Sequence, residues 1–300
     1  MSFGISGEVL KTASPAALSV GRFAIGLIVL VPLAARRPLF ARTVRDPRTI
    51  LLGLLGVAIY YSLTNIGLEF TTPGTAALSN AARPTLTALL GLFILKERLA
   101  PRTIVGLVLA TAGVVIVAGA GLTLDIGVLL CLIGLASYAL YTVLLRKGVL
   151  AESRQRAART VDPLVLATAT AVWGTAIMLP WLVAEMAVGA AAIPSGWAGF
   201  GGLLVLGVVI TAPTLVLFNY GAERLPAAAT GVLTAAIPAL GYLFALLLGE
   251  PFDAITALGG AVALVGVAIA SVTAPSTDSS PAGSGLPPHE DVAAGLSERD

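Results

Sequence analysis

The sequence predicts an all-α, polytopic membrane protein made of two inverted five-helix repeats: a ten-helix architecture with its first helix truncated and nine full spans. Three observations predict it. The 300 residues are 57% hydrophobic and 11% charged, with a mean hydropathy of +0.95, which leaves too little polar surface to cover a soluble globule. The apolar residues form continuous runs rather than the alternating strands of about ten residues that build a barrel. Finally, the pattern Asn65, Gly67, Glu69, Pro84, Glu97, Gly106, Gly113 returns as Asn219, Gly221, Glu223, Pro238, Glu250, Gly259, Gly266, with successive gaps of 2, 2, 15, 13, 9, 7 and 2, 2, 15, 12, 9, 7.

Crossing about 30 Å of hydrocarbon takes about 20 mostly apolar residues. The segments that meet this requirement are Ala16 to Ala35, Ile50 to Leu68, Thr75 to Leu95, Thr103 to Ala120, Ile126 to Leu145, Pro163 to Val183, Trp197 to Phe218, Ala227 to Leu248 and Ala254 to Val272. Met1 to Leu10 would reach only about 15 Å as a helix and carries Glu8, so it cannot span. Pro15 and Pro32 are spaced like Pro163 and Pro180, so the helix from Ala16 matches the one from Pro163. The latter follows a full span, Ile126 to Leu145; its first-half counterpart is missing or survives as a stub. The domains are therefore expected at 1–122 (first repeat, first helix truncated), 123–273 (second repeat) and 274–300, a Ser-, Pro-, Gly- and acid-rich tail expected to be disordered.

Lys and Arg collect in short cytoplasmic loops. Here they cluster at Arg36 to Arg48, at Lys96 to Arg102, at Arg146 to Arg159 and at Arg224. The intervening connections near Glu69, Asp125, Ala187 to Ser195 and Glu250 to Asp253 hold none. That alternation puts the C-terminus in the cytoplasm of a multi-pass protein in the cell membrane. An odd number of helices per half makes the repeats inverted. The single cysteine, Cys131, lies in an apolar run and the single histidine, His289, in the tail. Neither a metal site nor a cofactor is expected, and an enzyme of lipid metabolism, the rival reading, would need clustered Asp, His or Cys at the membrane interface.

Polar groups in a bilayer core usually face the bundle interior or a water-filled path. Asn80, Arg83, Pro84 and Thr87 are spaced i, i+3, i+4, i+7 and share one helix face. Arg83 costs on the order of 3 kcal/mol near mid-span even on the lenient insertion scale. It is expected to bind a substrate carboxylate or phosphate, or else to make a structural ion pair, with Glu69 a candidate, or to snorkel toward the interface. Pro84 and Pro238 each remove a backbone hydrogen bond and kink matched helices. Tyr61 and Asn65 on one helix, with Thr214, Asn219 and Thr234 in the second copy, are further candidates for the site. Tyr138, Tyr141 and Trp173 are deep enough to line a cavity for an amphipathic organic solute. The Gly106/Gly113 and Gly259/Gly266 pairs mark two helices as close-packed scaffold.

Gly21-Arg22-Phe23-Ala24, the Asn80-to-Pro84 region ending in Leu95-Lys96-Glu97-Arg98-Leu99, Gly106 and Gly113, and Pro238 followed by Leu248-Gly249-Glu250 together resemble the EamA-type branch of the drug/metabolite transporter superfamily, over about residues 15 to 272. The resemblance implies a secondary transporter, an exporter of amino acids, metabolites or drugs, working by alternating access around a central cavity. It implies structural or gating roles for Arg22, Glu97 and Glu250, alongside the two kinking prolines. A small-molecule substrate and the lipid bilayer are the expected partners, nucleic acid is not, and proton coupling and a homodimer are compatible with the family. The short first helix departs from the pattern. The expectation is a start codon upstream of Met1, the alternative being a non-transporting membrane protein.

Overall fold

The computed structural model describes residues 2–94, 101–119, 125–154, 162–224, 242–244 and 246–271, and their regular structure is all helical, with no strand among them. Helix α1 (Ser2–Leu10) is followed by α2 (Pro15–Ala35), α3 (Phe40–Val44) and α4 (Pro47–Gly53). A π-helical turn, Leu54–Ile59, joins α4 to α5 (Tyr60–Gly67) as one continuous span. Next come α6 (Pro73–Ser79), α7 (Arg83–Ile94), α8 (Pro101–Gly119), α9 (Ile126–Arg154) and α10 (Pro163–Ala187). Then α11 (Gly196–Leu204) and α12 (Ala212–Arg224) are joined by a second π turn, Val205–Thr211, and α13 covers Ala254–Ser271. Five of these helical stretches are long and apolar enough to cross a membrane: Pro15–Ala35, Pro47–Gly67, Ile126–Lys147, Pro163–Ala187 and Gly196–Tyr220. The protein is an all-α polytopic membrane protein. The expected span Ala227 to Leu248 falls mostly outside the described residues, as do Glu97, Thr234 and Pro238.

The matched helices α2 and α10 begin alike. Ser14 and Asp162 occupy the N-cap positions and accept from the backbone N–H of Ala17 and Leu164, and a proline follows at the first helical position, where its missing N–H costs nothing. Pro32 and Pro180 both sit inside their helices without ending them. The two helices pack on each other, as do α8 and α13, so repeat counterparts meet across the molecule. For α8 and α13 the sequence reason is explicit. A Cβ on Gly106 would lie 2.6 Å from the Gly266 oxygen, one on Gly113 would lie 2.5 Å from the Gly259 oxygen, and one on Gly266 would lie 2.6 Å from the Gly106 oxygen. Only glycine permits that backbone approach.

The expected single helix from Thr75 to Leu95 is divided in three: α6, a 3₁₀ turn at Asn80–Ala82, and α7. Pro84 explains the division. It has no N–H to offer the Asn80 carbonyl four residues back. Instead the Arg83 N–H bonds the Asn80 oxygen, tightening the chain into the 3₁₀ turn. The N-terminal stretch, too short to span, is helical, and α1 lies against α6 and α11.

Candidate substrate site

The two π turns aim residues inward. Both carry Leu-Gly-Val, as Leu55-Gly56-Val57 and Leu206-Gly207-Val208. Each glycine is a point of close approach, Gly56 to the Tyr141 ring and Gly207 to the Arg22 carbonyl and Ile25. Immediately after the first turn stand Tyr60 and Tyr61; the second ends at Thr211. Extra residues in a helical turn displace the local register, and such turns recur at functional sites.

Six aromatic rings form a continuous row. Phe23 meets Tyr61 edge-on at 4.7 Å between centroids, Tyr61 meets Tyr60 at 4.7 Å, and Tyr60 meets Tyr138 at 4.9 Å. Tyr138 in turn contacts Tyr141 at 5.3 Å and Phe218 at 5.9 Å. An arginine stands at each of two points along the row. The Arg22 guanidinium carbon lies 4.7 Å from the Tyr61 ring centre, and that of Arg83 lies 4.6 Å from Tyr138 and 5.9 Å from Tyr60.

Neither arginine has a charged partner among the described residues, whose ion pairs join Lys11 to Glu8 and Arg37 to Asp162. Arg22, 3% exposed, donates from Nε to Thr211 Oγ1 at 3.0 Å and from Nη2 to Ser2 Oγ at 3.2 Å. Arg83 donates from Nη2 to Asn80 Oδ1 at 2.9 Å and to the Tyr60 hydroxyl at 3.2 Å, while its buried Nε has no hydrogen-bond partner among the described residues. The expected alternative of a pair with Glu69 is not found. A cation–π contact is worth about 2 kcal/mol or more when desolvated. Two rings and two hydroxyl or amide acceptors therefore offset the lenient insertion cost of each guanidinium while leaving its charge unneutralised.

The other sequence candidates divide. Tyr61, Asn80, Arg83, Tyr138 and Tyr141 belong to the row or its polar fringe. Asn219 joins it, standing 3.4 Å from the Tyr141 hydroxyl and donating its own amide to the Leu215 carbonyl. Asn65, 1% exposed, is spent on Ser19, to whose hydroxyl it donates at 2.8 Å, so it ties α5 to α2. Trp173 does not reach the row: its indole N–H donates to the Val44 carbonyl at 2.6 Å, and it packs beside Gly53. It is partly buried against α3 and α4 because Gly53 lacks the side chain that would hold α4 and α10 apart. Thr87 is half-buried one turn beyond Arg83, and Thr214 lies on an exposed flank of α12. Sequence reasoning gave no role to Tyr60, the ring shared by both halves of the row; the Tyr60-Tyr61 doublet in an otherwise apolar stretch is the signal that could have found it.

Glu250 reaches back across the repeat boundary. One carboxylate oxygen accepts from the Gly74 N–H at 2.8 Å and the other bonds the Thr72 hydroxyl, so a second-repeat residue caps the N-terminus of α6. Helix α6 leads directly into the Asn80 turn. Elsewhere, an open cavity of about 490 Å³ is bordered by Lys11, Ser14, Glu69, Trp181 and Glu185. There, partial burial and the neighbouring Glu185 hold the Glu69 carboxyl above the ordinary carboxylate range.

The sequence profile of the EamA-like transporter family matches residues 1–119 and again residues 125–272. The chain belongs to that family. Relatives of this EamA-like protein include an "Uncharacterized transporter" of Archaeoglobus fulgidus, 25% identical over 87% of this chain and 90% of its own, and the "Uncharacterized transporter YyaM" of Bacillus subtilis, 24% identical over 90% and 88%. A third relative, from Streptantibioticus cattleyicolor, bears the name "Probable terminal-alkyne amino-acid exporter" and is 29% identical over 84% and 82%. A crystal structure 19% identical in sequence superposes with a TM-score of 0.64 over 90% of this chain and 94% of the other, which shows a shared fold.

Proposed function

We propose that this EamA-like protein is a secondary transporter that exports a small organic anion, an amino acid or related metabolite, across the cell membrane by alternating access, with its C-terminus in the cytoplasm. The observation that carries this reading is the Arg83 guanidinium, buried among Tyr60 and Tyr138 with an unpartnered Nε and no carboxylate in contact among the described residues. A substrate carboxylate there would supply the missing acceptor and the missing charge, and the tyrosine faces would receive the apolar part of the same molecule. A carboxylate bound in a low-dielectric pocket by a guanidinium is held far more strongly than in water. The relative named as an amino-acid exporter supports the substrate class. Breaks at Asn80–Ala82 and the two π turns supply irregular backbone beside the site, the usual place for it in transporters.

The test is flux in proteoliposomes loaded with a panel of amino acids and organic acids. The reading expects at least one anionic solute to be moved, and Arg83→Leu to abolish its flux. Unchanged flux in that variant rejects Arg83 as the anchor, and no flux of any solute by the unaltered chain rejects transport.

A further inference from the structure

The aromatic row has two cationic stations, and one carboxylate uses only one. Resting on the reading of Arg83 as an anion anchor, we propose that Arg22 is a second anchor, and that the substrate class is a dicarboxylate: an acid carrying two carboxylates joined by a short carbon chain that lies along Tyr61 and Tyr60.

The two arginines come from α2 and from the first position of α7, yet both are built into one continuous set of rings. Tyr61 is in contact with Arg22, Tyr60 with Arg83, and the two rings touch at 4.7 Å. Among the described residues both guanidiniums use neutral acceptors, Thr211 and Ser2 for Arg22 and Asn80 and Tyr60 for Arg83, so no described carboxylate offsets either charge. A structural arginine in a membrane interior is ordinarily met by a carboxylate or water. Two cations flanking one wall, with no charged partner among the described residues, select a ligand with two negative groups, because binding a monoanion leaves one of them unneutralised. The wall between them sets the rest of the chemistry. Tyr61 is half-buried and offers its ring to a methylene chain and its hydroxyl to polar substituents along it, while the buried Tyr60 ring backs it with its own hydroxyl engaged by Arg83 and Asn80.

The experiment measures binding of two matched series to the purified full-length protein by isothermal titration calorimetry: straight-chain dicarboxylates from succinate to suberate, and the monocarboxylates of equal carbon number. The expected result is that the best dicarboxylate binds about tenfold or more tightly than its monocarboxylate, the gain of one further charge-assisted contact. Arg22→Gln is expected to collapse the two affinities onto each other, and Arg83→Gln to abolish binding of both. Because Arg22 also ties α2 to Thr211, Arg22→Lys is measured beside it; that variant keeps the charge and is expected to keep a reduced preference for the dicarboxylate. Equal affinity for the two series in the unaltered protein, with Arg83→Gln still abolishing both, overturns the second anchor and leaves the proposed anion site standing. Binding of neither series overturns the anion site itself.

Discussion

Arg22 donates from Nε to Thr211 Oγ1 at 3.0 Å across 189 residues, so a guanidinium of the first repeat rests on the π turn of the second. The bond lies beside the place where the Gly207 backbone approaches the Arg22 carbonyl, and it joins α2 to the segment between α11 and α12. Removing it should disturb both the packing of the halves and the electrostatics of the aromatic row. Thr211→Ala isolates the first effect. It should lower stability by about 1.5 to 3 kcal/mol, the contribution of a hydrogen bond to a charged group, while leaving the row's rings in place. Thermal unfolding in detergent checks this.

The paired glycines of α8 and α13 predict a steep size dependence. Gly266→Leu should separate the two helices and destabilise the protein by roughly 1 to 3 kcal/mol, because the added atoms meet the Gly106 and Ala110 backbone, which cannot move as a flexible side chain would. Gly201→Ala is the control, since nothing lies within 4 Å of the added carbon. It should be neutral or slightly stabilising, as alanine is in a helix.

Glu250 and Thr72 should couple. Each single alanine substitution uncaps the N-terminus of α6 only in part, and a double-mutant cycle should give an interaction energy of about 1 kcal/mol. Strict additivity would show that the contact contributes nothing. Because α6 runs into the Asn80 turn, Glu250→Ala should also change transport rate more than substrate affinity, read from flux against concentration.

Trp173→Phe separates a structural from a binding role. The substitution removes the bond to Val44 and should lower stability by about 1 kcal/mol, with substrate affinity unchanged. A large change in affinity instead would put Trp173 in the site.

Glu69 gives a pH dependence of defined sign. Its carboxyl titrates above the ordinary range because of burial and Glu185, so the folded protein holds this proton more tightly than the unfolded chain does. Its contribution to stability is present in full below the unfolded value and is lost as the pH rises through the folded one. Glu69→Gln should therefore flatten the decline in melting temperature between mildly acidic and neutral pH. A profile identical to that of the unaltered protein would show that Glu69 plays no part.

Hydropathy summed over about 20 residues is a local property, and the sequence alone determined what depends on it: an all-helical membrane protein and span positions such as Pro15–Ala35 and Pro163–Ala187. Spacing did the same for the Gly106/Gly113 and Gly259/Gly266 interface, since glycines seven apart must share a face, and for Arg83, Tyr138 and Tyr141 as interior residues. Partnership was decided only by the tertiary structure. Arg22 finds its acceptor in the other repeat, Asn65 turns to Ser19, Trp173 to Val44 and Arg83 to Tyr60 and Asn80 rather than to Glu69. The physical reason is that helix faces are written in the sequence, but the rotation and height of one helix against another are set by packing summed over many contacts. Two π turns and one proline-induced 3₁₀ turn then shift those faces by fractions of a turn. That shift brings two arginines with no charged partner among the described residues onto one row of tyrosines.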